Sequence, residues 1–237
     1  FSKNKLYSII ELMSLAPKRV IHIRPLSTAI NNHKSRFNLD ALNYYATKYI
    51  IGIDEAGRGP LAGPLVVAGV KINLKFRTES QKLFNGIKDS KKLSEKKREE
   101  WFQIIANNPR IEWAVAKISP KVIDKINIAR AANLGAMMVF NRLSGGKNCY
   151  ALLDGSLYLP KNIPQKTIIK GDEKIPAISA ASVIAKVSRD RIMRRLHKKY
   201  PKYRFDLHKG YGTKMHYKAI KRFGLMDIHR MSFKIRT

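Results

Sequence analysis

The sequence predicts an α/β fold on three observations. Five short apolar runs (49–53, 65–72, 111–118, 150–153 and 167–169) read as strands, helical patterns separate the later ones, and Gly and Pro clusters punctuate the joins. With 237 residues and 44% hydrophobic content, the chain suffices for one domain, or for one domain with a small appended subdomain.

In chain order, residues 1–36 stand apart, with seven Lys and Arg, five Ser and a single acid, Glu11. They read as a basic N-terminal extension outside the core, either disordered or a targeting segment. Residues 49–53 and 65–72 form the first two strands, joined by a short turn across a Gly and Pro cluster. Ser94 caps a helix over 94–106, with Trp101, Ile104 and Ile105 at helical spacing. The third strand, 111–118, alternates apolar and polar residues. Pro120 starts a second helix that the pattern carries to about Leu143, interrupted by nothing stronger than Gly135. Residues 150–153 and 167–169 fit a fourth and a fifth strand. Pro176 opens a helix in which Ile178, Ala181, Ala185, Ser188, Ile192 and Leu196 recur at helical spacing. Lys186, Arg189, Arg194, Arg195 and Lys198 surround them, so this helix reads as half core and half cation. Thr213 caps a last helix, with Gly224 just past its end. The predicted organisation is an extension (1–36), an α/β core (37–190) and a basic helical subdomain (191–237).

Charge narrows the partner. Forty-seven Lys and Arg against 17 acids leave a net +30, a self-repelling surplus that suits a polyanion, nucleic acid first. No apolar run approaches the roughly 18 residues of a membrane-spanning helix, which excludes an integral membrane protein of that kind. A single cysteine, Cys149, excludes an intrachain disulfide and a thiolate zinc cluster and fits a reducing compartment. Residues 186–237 hold 17 Lys and Arg, among them Lys198 and Lys199, against Asp190, Asp206 and Asp227. Tyr200, Tyr203, Phe205, Tyr211 and Tyr217 are interleaved with these cations, a pattern that suits a clamp on a duplex backbone, with a solvated basic face as the alternative.

Acids are scarce, so their positions are informative. Asp54 ends the run YIIGI and Asp154 the run YALL, each with Gly within three residues. If the two strands are parallel neighbours, both carboxylates fall at carboxyl ends, where open α/β sheets place ligands. Adjacent strand residues face opposite sides, so Glu55 joins Asp54 only if the chain leaves the sheet there, which Ala56-Gly57 permits. Asp172 follows the fifth strand, four residues before Pro176. Any one of these acids in isolation could equally cap a turn. Four converging carboxylates would repel by about 4 kcal/mol per pair at about 4 Å and an effective dielectric near 20, so they need a cation. Oxygen-only donors select a hard ion, Mg²⁺ or Mn²⁺, and two such ions can stabilise both oxygens of a phosphodiester displacement.

The stretch GIDEAGRGPLAGP (52–64) resembles the opening motif of type 2 ribonucleases H, the bacterial ribonuclease HII family. DSKKL (89–93), LLDG (152–155), KGDEKIPAISAASVIAKVSRDR (170–191) and HKGYGT with HYKAI (208–220) follow in the family's order. The resemblance implies a ribonuclease H-like fold, a five-stranded mixed sheet flanked by helices with a small helical C-terminal subdomain. It implies cleavage of the RNA strand of RNA/DNA hybrids and at single ribonucleotides in duplex DNA, giving 3′-hydroxyl and 5′-phosphate ends. It also implies that Asp54, Glu55, Asp154 and Asp172 are the catalytic carboxylates and ligate Mg²⁺ or Mn²⁺. Gly57, Arg58 and Gly59 would contact the ribonucleotide 2′-hydroxyl and adjacent phosphates through close backbone N–H and C=O groups. Arg58 pairs with a phosphate or with a nearby carboxylate. Tyr211 would pack on the sugar at the RNA–DNA junction, and Lys91 with Lys92 would add phosphate contacts. A monomer is expected, cytoplasmic or, if residues 1–36 are a transit segment, organellar. Two other functions stay open: a non-catalytic nucleic-acid binding protein, for which charge alone suffices, and a DNA nuclease on the same fold.

Overall fold

The computed structural model describes residues 47–76, 82–84, 87 and 93–234. The extension 1–36 and Lys91 with Lys92 lie outside the described residues. Five strands form one mixed sheet in the order β3-β2-β1-β4-β5: β1 (Tyr49–Ala56), β2 (Leu65–Asn73), β3 (Ile111–Ile118), β4 (Cys149–Asp154) and β5 (Gln165–Ile168). β1 runs antiparallel to β2 and parallel to β4, and β4 runs parallel to β5. The short return between β1 and β2 suits an antiparallel pair, whereas the parallel pair β1 and β4 is bridged by the intervening helices.

The helices are α1 (Glu95–Ala106), α2 (Pro120–Ile126), α3 (Ile128–Ser144), α4 (Gly171–Lys174), α5 (Pro176–Lys199), α6 (Phe205–His208) and α7 (Lys214–Phe223). α3 covers one face of the sheet, packing Ala132, Ala136 and Val139 with Ile51, Ile53, Leu65 and Val67. α1 and α5 cover the other, packing Phe102, Ile105, Ala181 and Ile184 with Ala68, Val70 and Ile72. Gly52 makes the closest approach possible: a Cβ there would lie 2.3 Å from the Ala177 carbonyl carbon, so the first turn of α5 rests on β1.

The Ser94 and Thr213 caps form as expected, accepting from the Lys97 and His216 amides. Several expectations change. The helix predicted from Pro120 to Leu143 is two helices, because Asn127 takes a left-handed φ of 65° and its side chain accepts from the Arg130 N–H to cap α3. In α1 Phe102 and Ile105 enter the core, while Ile104 is 43% exposed. α5 is buried all round from Ala177 to Ala185, and its exposed cations belong to its second half. That second half crosses residue 190 and joins a C-terminal layer in which Met193 packs with Leu61, Tyr203, Phe205, Ala219 and Ile220. Tyr203 and Phe205, expected among phosphate-facing aromatics, are core residues of this layer. Among the described residues no helix is long and apolar enough to cross a membrane.

Candidate active-site cleft

The parallel pairing of β1 with β4 ends at Ile53↔Leu153, which sets Asp54 beside Asp154 at the carboxyl ends of both strands. The chain does not leave the sheet at Glu55: β1 stays paired with β2 as far as Ala56↔Val66. Residues 54–56 nevertheless overhang the end of the β4 ladder, so side chains from both faces of β1 can turn into the space beyond it. Asp54, Glu55 and Asp154 line one cleft of about 460 Å³, together with Gly57, Arg58, Gly59, Arg98, Ser182, Lys186, Arg189 and Tyr211. Asp172 is fully buried and does not line the cleft. It adjoins Asp154 through the backbone: Gly171 and Asp172 N–H groups donate to Asp154 Oδ1 at 2.6 and 3.3 Å, and the Ser179 hydroxyl donates to the Asp172 carbonyl at 2.5 Å.

Burial, then the negative charges of Glu55 and Asp154, hold the Asp54 carboxyl well above the usual carboxylate range. Asp54 Oδ1 accepts from the Glu55 N–H at 2.6 Å. Among the described residues no three His, Cys, Asp or Glu side chains close into a metal-holding group. The donor chemistry still fits a hard divalent ion, since the acids lining the cleft offer only oxygen and Asp54 is driven toward protonation by burial and then by the negative charges of Glu55 and Asp154.

The loop from Gly57 to Pro64 is held from behind by two buried arginines. Arg230, fully buried, donates through Nη2 to the Gly57 carbonyl at 2.7 Å, through Nη1 to the Arg58 carbonyl at 2.8 Å and through Nε to the Gly63 carbonyl at 3.1 Å. Burial and the charge of Arg189 push Arg230 down to about 9. Arg189 donates to the Pro64 and Ala62 carbonyls at 3.1 and 3.3 Å. Gly57 has φ 93°, and a Cβ there would lie 2.0 Å from Arg189 Nε, so only glycine fits. In a trans peptide each carbonyl opposes the next N–H, so the Arg58 and Gly59 N–H groups point away from Arg230. The loop therefore offers donors, and the carbonyls expected to share a hydroxyl contact are engaged inside the protein. Arg58 itself takes the carboxylate option, donating to Glu55 Oε1 at 3.2 Å and to Ser156 Oγ at 2.8 Å. Tyr211 is 44% exposed, its ring 3.8 Å from where a Gly59 Cβ would sit and 5.8 Å from the Arg189 guanidinium carbon.

Arg189 and Arg230 were not among the site residues that the sequence suggests. Arg189 has a legible signal, because it continues the i, i+4 stripe Ala181, Ala185, Met193 that α5 buries. Arg230 has none, its partners lying 167 to 173 residues away. The basic clamp is divided. Lys186 and Arg189 face the cleft, whereas Arg195 and Lys198 lie on the other side of α5.

The family model described as Ribonuclease HII matches residues 51–236. A Ribonuclease HII of Bacillus mycoides (strain KBAB4) is 49% identical over 185 residues, covering 78% of this chain and 68% of the relative. Among solved structures, a chain of the PCNA:RNase HII complex from Archaeoglobus fulgidus superposes with a TM-score of 0.66 at 31% identity, covering 79% of this chain and 96% of that one. Ribonuclease H2 from Pyrococcus horikoshii OT3 gives 0.64 at 28% identity, covering 79% and 94%.

Proposed function

The chain belongs to the ribonuclease HII family, and on that premise we propose a metal-dependent endoribonuclease that cuts the RNA strand of RNA/DNA hybrids and cuts at single ribonucleotides in duplex DNA. The products would carry 3′-hydroxyl and 5′-phosphate ends. The observation that carries the reading is the meeting of Asp54, Glu55 and Asp154 with Gly57, Arg58, Gly59 and Tyr211 on a single cleft. Carboxylates alone would suit any phosphodiesterase; a donor-presenting loop and an exposed ring beside them suit one that inspects a sugar.

In this reading Asp54, Glu55 and Asp154 would hold Mg²⁺ or Mn²⁺ from the cleft, with Asp172 joining them only if its buried carboxyl turned toward Asp154, and the ion would supply charge neutralisation at the phosphate and acidity to a water. Asp154 is oriented for that task by the Gly171 and Asp172 amides. The Arg58 and Gly59 N–H groups donate to the 2′-oxygen or the adjacent phosphate, and Arg230 holds the loop in that pose. Tyr211 packs on the sugar next to the scissile bond. Glu55 keeps Arg58 at the mouth of the cleft, where its second face of donors is available to phosphate.

Two duplexes differing by one 2′-hydroxyl test the proposal. Sites that hydrogen-bond a hydroxyl reject its deoxy analogue by about 10⁴ to 10⁵, so all-DNA duplex should bind and survive with Mg²⁺ or Mn²⁺ present. Equal cutting of both would favour a DNA nuclease, and cutting of neither a binding protein.

A further inference from the structure

We propose that the groove between edge strand β3 and the far side of α5 binds single-stranded nucleic acid at a site separate from the catalytic cleft, using Lys117, Arg195 and Lys198 for phosphates and Trp113 as a stacking platform. Helix geometry separates the two sites. Arg195 follows Lys186 by nine residues, and Lys198 follows Arg189 by nine; at about 3.6 residues per turn each pair lies on opposite sides of α5. Lys186 and Arg189 line the cleft, while Arg195 and Lys198 line the groove.

The groove has a volume of about 620 Å³, and among the described residues no acid lines it. Past Lys117, Ile192 and Arg195 it continues into a second hollow of about 530 Å³, lined in part by Lys199, again with no acid among the described residues. Two of its arginines are already neutralised, Arg191 by Glu99 and Arg194 by Glu95. Among the described residues Lys117, Arg195 and Lys198 pair with no acid, so a polyanion would find their charge uncompensated.

The floor decides which polyanion. Trp113 is 37% exposed on β3, and its ring is steadied edge-on by Phe102 at 5.7 Å. The Arg191 guanidinium in turn lies 4.2 Å from the Phe102 ring centre. Val115 and Ile192 complete an apolar base. A paired base hides its faces in the helical stack, whereas an unpaired one can lie on an indole while its phosphates reach flanking cations. An aromatic, apolar floor between lysines and an arginine therefore suits a single strand better than a duplex. The inference does not rest on the catalytic reading of the cleft, because binding in the groove needs no cleavage.

The test uses the full chain and a fluorescein-labelled oligo-dT of about 15 nucleotides, followed by anisotropy over a range of salt. Neutralising three phosphate contacts (Lys117→Ala, Arg195→Ala and Lys198→Ala together) should weaken oligo-dT binding at least about tenfold and lower the log–log salt slope by about 2. Trp113→Ala should weaken it about tenfold and Trp113→Phe much less. Thermal melts establish that each variant is folded. Cleavage of a short duplex carrying one ribonucleotide should keep its wild-type KM in all of them. Unchanged oligo-dT affinity in the triple variant would overturn the proposal. So would a parallel rise in KM for the short duplex, which would make groove and cleft one surface, or a poly-Glu peptide binding the wild-type groove more tightly than oligo-dT, which would make the partner a protein.

Discussion

Asp54 in the acidic cleft and His216 in the histidine cluster that holds Tyr211 are both buried titratable groups, and burial drives both toward the neutral form with opposite consequences. In the C-terminal layer His216 and His229 are buried and His208 is nearly so. Their hydrogen bonds close on themselves. The Gly210 N–H donates to His208 Nδ1, leaving His208 Nε2 to donate to the Tyr203 carbonyl at 2.7 Å. The Met226 N–H donates to His229 Nδ1, so His229 Nε2 donates to His216 Nε2 at 3.2 Å, and His216 Nδ1 donates to the Tyr211 carbonyl at 3.0 Å. This tautomer assignment follows from the network, each neutral ring giving one hydrogen and taking one. Ionised carboxylates only accept, so Asp54, Glu55 and Asp154 cannot satisfy one another; Arg58 partners Glu55 and backbone amides partner Asp54 and Asp154, and the buried charge of Asp54 is left to be offset by a proton or a cation. One cluster is complete as folded; the other is built to be completed.

The largest effect should come from breaking the incomplete cluster. Asp54→Asn and Asp154→Asn each remove a charge with almost no change of shape, and cleavage should fall at least about 100-fold, or roughly 3 kcal/mol of transition-state stabilisation. Stability measured in EDTA should move the other way for Asp54→Asn. The folded-state value of Asp54 is raised, so its favourable contribution is present at low pH and lost as pH rises through that value. Metal-free wild type should therefore lose stability on that rise, and Asp54→Asn should lose less. Thermal melts at several pH values measure both, and an identical decline in the variant would remove Asp54 as the strained group.

The two clusters were unequally legible. Asp54 and Asp154 declare themselves locally, each an acid ending an apolar run, and strand-end chemistry places them together once the two strands pair in parallel. Glu55 lines the cleft beside Asp54 although the chain does not leave the sheet there, because how far β1 outlasts β4 depends on the pairing of residues about 100 positions apart. The helix from Pro120 breaks at Asn127, a cap with a left-handed φ that in a propensity window looks like one more polar helical residue. His208, His216 and His229 were scattered in sequence and become a network only once α6, α7 and the segment after α7 pack around Phe205. Arg230 belongs with them. A single cation in a basic tail carries no local sign that three carbonyls of a distant loop will surround it.

Acid should break the complete cluster. Burial, with the neighbouring charges of His208 and His229, pushes His216 down from 6.5 to about 4. The unfolded chain then takes up this proton first as pH falls, so stability is intact above about 6.5 and declines until the folded state also titrates near 4. The loss over that window is about 3 kcal/mol. Urea melts at pH 7.5 and pH 5 should show most of it. His216→Gln, which keeps a donor and an acceptor but does not titrate there, should be less stable at pH 7.5 and flatter in its pH response. A variant with the wild-type slope would assign the acid sensitivity elsewhere.

The smallest effect tests the residue the two clusters share. Tyr211 exposes its ring to the acidic cleft while its carbonyl accepts from His216, so its side chain and its backbone report on different sides of the comparison. If the ring packs on a sugar, the area of its face matters more than its hydroxyl. Tyr211→Ala should then raise KM for a duplex with one embedded ribonucleotide about tenfold, and Tyr211→Phe no more than about twofold, with kcat changed less than KM in both. Neither should alter the acid dependence of stability, because the carbonyl bonded to His216 is untouched. Equal losses in the two variants would shift the role to the hydroxyl. A changed pH slope in either would mean that the ring, and not only the backbone of residue 211, supports the histidine network.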